Sequence, residues 1–370
     1  MTMYAILETN NNPSAAVRTI VQNMLSEKLV DSVLVLSRTP YSSLPMPTLI
    51  TDPEKMEQAE PLAPAAPFNA ARQAASVLKY PTGKKVAVVL RPCEIRALIE
   101  LAKLKQCMLD EAILIGIDCL GRIENDIFLE LAAQKEDISS AFYNDPALQD
   151  RITGICKTCE HFRPEGVDLA VCLLGTPIME KIGLLAGTRE GENIIKSLGL
   201  SSVEQPGERE KATNDLLKKR IKARDALFSE TTEKIKDIEK FQETIANCLN
   251  CYNCRTACPV CYCKECVFLT DVFAHEPEVL QRRAAKRGAV KLPADTTMFH
   301  MTRLAHMSHA CVGCGQCSSV CPSNIPVADI FKTVSAKVQE LYDYVPGRDI
   351  SEPIPQLVFE EESSDGKSNI

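Results

Sequence analysis

Two stretches of this chain repeat one cysteine spacing. Residues 247–259 read NCLNCYNCRTACP and residues 309–322 read HACVGCGQCSSVCP, each containing a C-x2-C-x2-C-x3-C-P run. This is the spacing by which a polypeptide wraps a 4Fe–4S cubane. Gaps of two residues let one tight loop reach three corners of the cube, and the proline turns the chain away after the fourth cysteine. Where two such runs occur together, the fourth cysteine of each reaches the cluster held by the other. The spacing therefore groups Cys248, Cys251 and Cys254 with Cys321, and Cys311, Cys314 and Cys317 with Cys258. Tetrahedral zinc has no use for a third evenly spaced thiolate, and disulfides would demand an oxidising compartment.

Composition narrows the remaining choices. The 370 residues are enough for two or three domains with a real core. A net charge of −7 excludes a global basic field for nucleic acid, and with no Trp and 5% aromatics a base-stacking platform is not expected. No apolar run approaches the roughly 18 residues that cross a bilayer, and MTMYAILETNNN lacks the pattern of a signal peptide. Seventeen cysteines without an export signal point to a reducing, cytoplasmic setting and to metal binding.

Residues 1–204 alternate strand-like and helical patterns, which predicts an α/β domain with a largely parallel sheet. Residues 3–7, 33–36, 84–90, 112–117 and 167–174 read as strands. A first helix is expected from Ser14, with Ala16, Val17, Ile20 and Met24 on one face, and others over 69–78 and 94–104. The proline-rich residues 40–67 read as an irregular, extended connection. Ligands of such sheets sit beyond the carboxyl ends of the strands. Cys93 and Cys119 each follow a strand there, and Cys156 and Cys159 lie in a loop. These four would ligate a third 4Fe–4S cluster, or they are buried thiols acting as small hydrophobes, the role expected of Cys107 and Cys172.

The residues that carry this pattern resemble a known family. VAVVLRPCEIRALIEL, the strand ending in Asp118-Cys119, and CKTCEHFRPEGVDLAV are similar to the β subunits of coenzyme F420 (deazaflavin) hydrogenases and dehydrogenases, which include some formate dehydrogenase β subunits. The likeness spans roughly residues 5–200 and is patchy. It implies a 4Fe–4S cluster on Cys93, Cys119, Cys156 and Cys159, and an FAD held by the N-terminal loop, the proline-rich segment and the strand-end loop, with Asn12, Ser14, Arg91, Pro92 and Glu94 as candidate contacts. One departure matters. Where family members place a Gly-Gly pair and Thr, this chain has Asn12-Pro13-Ser14-Ala15-Ala16, and a close backbone approach to a ring normally wants glycine.

Residues 205–246 are dense in mixed charge and read as a helical connector whose Lys and Arg form a solvated face. Residues 247–346 make the two-cluster domain, mainly α-helical because a long insert with helical patterns near 279–287 and 298–307 parts the runs. It resembles the α-helical ferredoxins of succinate dehydrogenase iron–sulfur subunits and heterodisulfide reductase small subunits. A further amphipathic helix carries Val327, Ile330, Phe331, Val334, Val338 and Leu341, and residues 347–370 read as a loose acidic tail. Cys261, Cys263 and Cys266 are surplus to both runs. They would hold a fourth cluster or a metal, with His275, another cysteine or a partner chain as the last ligand, or else shield a cluster as inert thiols. His300, His306 and His309 precede Cys311 and read as tuners of the neighbouring cluster.

The reading that joins these parts is an iron–sulfur flavoprotein subunit, an oxidoreductase component that moves electrons between a soluble carrier (deazaflavin, NAD(P)H or ferredoxin) and partner subunits of a larger complex. A flavin-free iron–sulfur wiring adaptor of a heterodisulfide-reductase-like complex is the alternative.

Overall fold

The computed structural model describes residues 3–135 and 137–357. The first half is one sheet wrapped by helices. Its strands are β1 (Tyr4–Glu8), β2 (Ser32–Thr39), β3 (Ser42–Ile50), β4 (Val86–Leu90), β5 (Ala112–Ile117), β6 (Leu169–Cys172) and β7 (Lys181–Ala186), in the spatial order β1-β7-β6-β5-β4-β2-β3. Neighbours among β2, β4, β5 and β6 pair parallel, whereas β3 and β7 run antiparallel to theirs. The sheet is therefore mixed, and the domain is α/β as the alternation predicts. The helices here are α1 (Pro13–Ser26), α2 (Ala71–Val77), α3 (Pro92–Lys103), α4 (Asn125–Ala132), α5 (Ile138–Asn144), α6 (Pro146–Gln149), α7 (Gly154–Lys157) and α8 (Arg189–Ser197).

Successive side chains of a strand point to opposite faces, and both faces of this sheet are buried. Val86, Val88 and Leu90 join α2 and α3 in one core, while Ala87 and Val89 join α1 and α8 in the other. That is why KKVAVVL reads as an unbroken apolar run.

Two local expectations are overturned. The proline-rich stretch contains β3: Pro45 and Pro47 lie on the outermost strand, where a missing N–H need break no ladder bond. The first helix begins at Pro13 with Asn12 as its cap, because the Asn12 side chain accepts from the Ala15 N–H at 2.9 Å and Pro13 is already set for the first helical position.

The second half is helical: α9 (Gly207–Lys234), α10 (Ile238–Thr244), α11 (Asn253–Thr256), α12 (Pro277–Arg287), α13 (Thr296–Met307), α14 (Gln316–Ser319) and α15 (Val327–Leu341). Among the described residues no helix is long and apolar enough to cross a membrane. The helical half packs on α3, and its Phe299, Ile330 and Phe331 share one apolar cluster with Leu98 and Leu101. Glu100, fully buried on α3, accepts from the Tyr344 hydroxyl at 2.6 Å and the Gly347 N–H at 2.8 Å. Gly347 has φ +70, and a Cβ there would press on the Arg96 backbone. The expected loose tail is thus anchored at its start, and Ile354 is buried too. Residues 358–370 of that tail lie outside the described residues.

The connector exposes Lys211, Lys218, Lys219 and Lys222 as a solvated face would, but two of its arginines depart from that reading. Arg209 and Arg220 on α9 are buried. Arg209 pairs with buried Asp118 at the end of β5, and Arg220 donates to the carbonyl oxygens of Leu120 (2.8 Å), Cys159 (3.2 Å) and Cys119 (3.4 Å). Mixed charge in sequence hid these anchors, whose partners are remote along the chain.

Candidate functional site: three sets of thiols

The two cysteine runs fold alike. In the first, Asn250 and Tyr252 have φ of 49° and 61°; in the second, the matching Gly313 and Gly315 have 65° and 80°. Each run then enters a four-residue helix, α11 or α14. Left-handed backbone is easy for glycine and costly for an aromatic residue. Tyr252 is held in it between Phe299, 4.9 Å away, and Phe268, 6.3 Å away.

The runs exchange their fourth cysteines in space. Cys248, Cys251, Cys254 and Cys321 line one cavity together with Tyr252, Phe299, His300 and Ile325. Cys258, Cys311, Cys314 and Cys317 line a second, with Val260, Arg303, Met307 and Phe331. Neither lining contains a carboxylate. N–H groups point at sulfur: Asn250 N to Cys248 Sγ and Ile325 N to Cys321 Sγ, both 3.4 Å. Among the described residues no three ligand-type side chains converge on a point that would hold a single metal ion. The thiols ring small cavities instead, a donor set suited to a cube rather than an ion. Burial pushes the Cys254 and Cys258 thiols up and Cys314 up to about 11. Four such thiols ionise together only where positive charge, as in iron, compensates them.

A third set sits at the carboxyl edge of the sheet. Cys93 is in the first turn of α3, Cys119 follows β5, and Cys156 and Cys159 are on and just after α7. Cys119 is within electrostatic reach of the other three: burial first, then Cys156, lift it to about 12, with Cys159 adding to the rise, and Cys119 in turn adds to the rise at Cys93. Cys314 of the second cavity acts on Cys93 as well. The second thiol set therefore neighbours the third, and Cys159 and Cys311 also line one pocket. Cys107 and Cys172, fully or nearly buried, belong to none of them.

Cys261 feels Cys263 and Cys266, yet Cys263 is exposed and the three form no closed ligand set among the described residues. His275 does not complete one, since its Nε2 is engaged by Asp295 at 2.9 Å and Arg283 at 3.1 Å. His300 does meet a thiol, but in the first cavity rather than beside Cys311: Nε2 lies 3.3 Å from Cys248 Sγ. His309 is buried and His306 is exposed.

The residues expected to touch a flavin are engaged elsewhere. Asn12 caps α1, and the Ser14 hydroxyl donates to Glu60 Oε2 at 3.4 Å. Arg91 and Glu94 bind each other at 2.8 Å, Glu94 also accepts from the Ala70 N–H, and Pro92 simply opens α3. Arg91 holds the Glu94 carboxyl below its usual range against the opposing effect of burial. A cavity of about 520 Å³ opens at the same sheet edge, lined by residues 38–43 with Pro45, Glu60, Phe128, Lys135 and Ser139. It is large enough for a planar ring system. Of the five expected contacts only Ser14 reaches it, through Glu60.

Residues 10–68 match the family described as coenzyme F420 hydrogenase/dehydrogenase, beta subunit N-term, and residues 245–325 match the 4Fe-4S dicluster domain. The β subunit of F420-dependent formate dehydrogenase of Methanocaldococcus jannaschii is 30% identical over 371 residues, spanning 91% of this chain and 93% of its own. The F420-dependent formate dehydrogenase 1 β subunit of Methanococcus maripaludis is 28% identical, spanning 94% of both. A chain of the F420-reducing [NiFe] hydrogenase complex of Methanosarcina barkeri superposes with a TM-score of 0.45 at 15% identity, over 65% of this chain and 94% of its own. The chain belongs to the coenzyme F420 hydrogenase/dehydrogenase β-subunit family, a family of oxidoreductase subunits, and carries a 4Fe–4S dicluster domain joined to it.

Proposed function

We propose that this chain is the electron-transferring β subunit of a formate dehydrogenase that uses a deazaflavin carrier, with three cluster sites in series. The single observation that carries the reading is the exchange of fourth cysteines, which leaves one complete set of four thiols around each cavity. Cys248, Cys251, Cys254 and Cys321 would hold one cubane, Cys258, Cys311, Cys314 and Cys317 a second, and Cys93, Cys119, Cys156 and Cys159 a third. Bound cubanes supply single-electron transfer, and a flavin in the α/β layer would supply exchange between a hydride carrier and single electrons. These cysteines would hold the cubanes on thiols that are buried or partly buried, apart from exposed Cys251. Lys135 and Arg38, the latter paired with Glu60 at 2.7 Å, are cationic side chains lining the 520 Å³ cavity and would face the diphosphate of a flavin there. The family relationship supports a partner catalytic subunit that handles formate.

The competing reading keeps the clusters and omits the flavin. It is favoured by the commitment of Asn12, Arg91 and Glu94 to structural bonds. Iron, sulfide and flavin quantitation on anaerobically isolated protein, with co-purifying subunits identified, separates the two. Near twelve irons per chain with releasable flavin supports the first reading, as each cubane holds about four. The same iron without flavin supports the second, and colourless or zinc-loaded protein sinks both. Cys172→Ser should leave the iron content unchanged.

A further inference from the structure

Arg303 is 2% exposed on α13, and no carboxylate pairs with it among the described residues. Its Nη1 donates to Cys254 Sγ at 3.1 Å and its Nη2 to the Cys254 carbonyl oxygen at 3.2 Å, while Nε has no partner. The same side chain lines the second thiol cavity. The guanidinium lies over the rings of Phe331 (4.7 Å) and Phe299 (5.5 Å), which exclude water from it. A buried cation without an anion is among the costliest things a fold can hold. Its field opposes the burial shifts of Cys254, Cys258 and Cys317, so it reaches sulfur in both sets.

We propose that Arg303 is the shared counter-cation of the two dicluster sites, a positioning residue that raises the midpoint potentials of both clusters together. The inference rests on the cluster reading above. Reducing either cubane adds one negative charge, and a fixed positive charge in a poorly polarisable interior stabilises that state more than solvent would.

The test is a mediated dithionite titration of the full-length, anaerobically purified protein, followed by low-temperature paramagnetic resonance. Arg303→Gln removes the charge, Arg303→Met removes it while still packing between the two rings should Gln not fold, and Arg303→Lys retains it. The neutral variants are expected to keep wild-type iron and sulfide. At fixed potential, both dicluster signals should show the reduced-to-oxidised ratio down about tenfold, ~59 mV for a one-electron couple. Arg303→Lys should stay within about threefold of wild type on the same scale. Iron-replete neutral variants with unmoved midpoints, or with only one signal displaced, overturn the inference alone. Iron-free wild-type protein overturns the cluster reading and this inference with it.

Discussion

The α/β layer and the dicluster region close their interiors by different means. In the sheet, alternate residues of β4 enter two separate apolar cores, and Ile115 of β5 is fully buried among apolar side chains of one of them. In the dicluster region the runs themselves contribute only two four-residue helices, and their centre is two cavities lined by thiols. Apolar burial suffices for the first. The second adds thiol-lined centres to the apolar contacts it makes with α3, and metal binding there is expected to couple to folding. The sheet should therefore tolerate cluster loss, whereas the dicluster region should not.

The largest expected effect breaks that contrast open. Cys254→Ser or Cys317→Ser should each lose about four irons per chain, one cubane, together with ordered structure in residues 247–346. Iron analysis and hydrogen exchange would check it: protection of β4 and β5 amides should persist while that of α13 and α15 falls. Loss of protection throughout the chain would mean that the halves fold as one unit.

Next comes the joint between the halves. Arg209→Met leaves Asp118, fully buried, with only the Leu173 and Leu174 N–H groups at 2.8 and 3.1 Å. Stranding one member of a buried pair costs about 3–5 kcal/mol. Thermal unfolding of the cofactor-loaded protein should record it, and iron per folded chain should hardly change. A smaller effect is expected inside the sheet. Ile115→Val should cost about 0.5–1.5 kcal/mol through a cavity of one methyl group, with no effect on iron or midpoint potentials.

The contrast also governs what could be read from sequence. Spacing within thirteen or so residues carries the cysteine runs, because a loop that wraps a cube is local chemistry, and the strand Val86–Leu90 announces itself by apolar continuity. The edge strand β3 escaped because Pro45 and Pro47 imitate a loop. Buried arginines escaped for another reason. Arg209 finds its carboxylate 91 residues away and Arg303 its sulfur 49 residues away, so no local pattern sets them apart from solvated neighbours. Likewise the five expected flavin contacts were named from resemblance, and only the fold reveals that Arg91 and Glu94 satisfy each other.

The amino edge of the sheet supplies the finest comparison, since it lies opposite the thiols. There the Glu111 carboxylate accepts from the Thr82 N–H at 2.8 Å and the Gly83 N–H at 2.7 Å, clasping the loop before β4 to the start of β5. These N–H donors hold its carboxyl below the usual Glu value of 4.5. A carboxyl depressed in the folded state adds stability that is fully present above its unfolded pKa and fades as pH falls through the folded one. Glu111→Gln should therefore lower the melting temperature slightly at neutral pH, and the gap from wild type should close as the pH drops below about 4.5. Because the side chain is open to solvent, the effect should be the smallest of the series. Iron content and midpoints should match wild type at every pH where the protein stays folded; a change in either would show that strain at one edge of the sheet is transmitted to the thiols at the other.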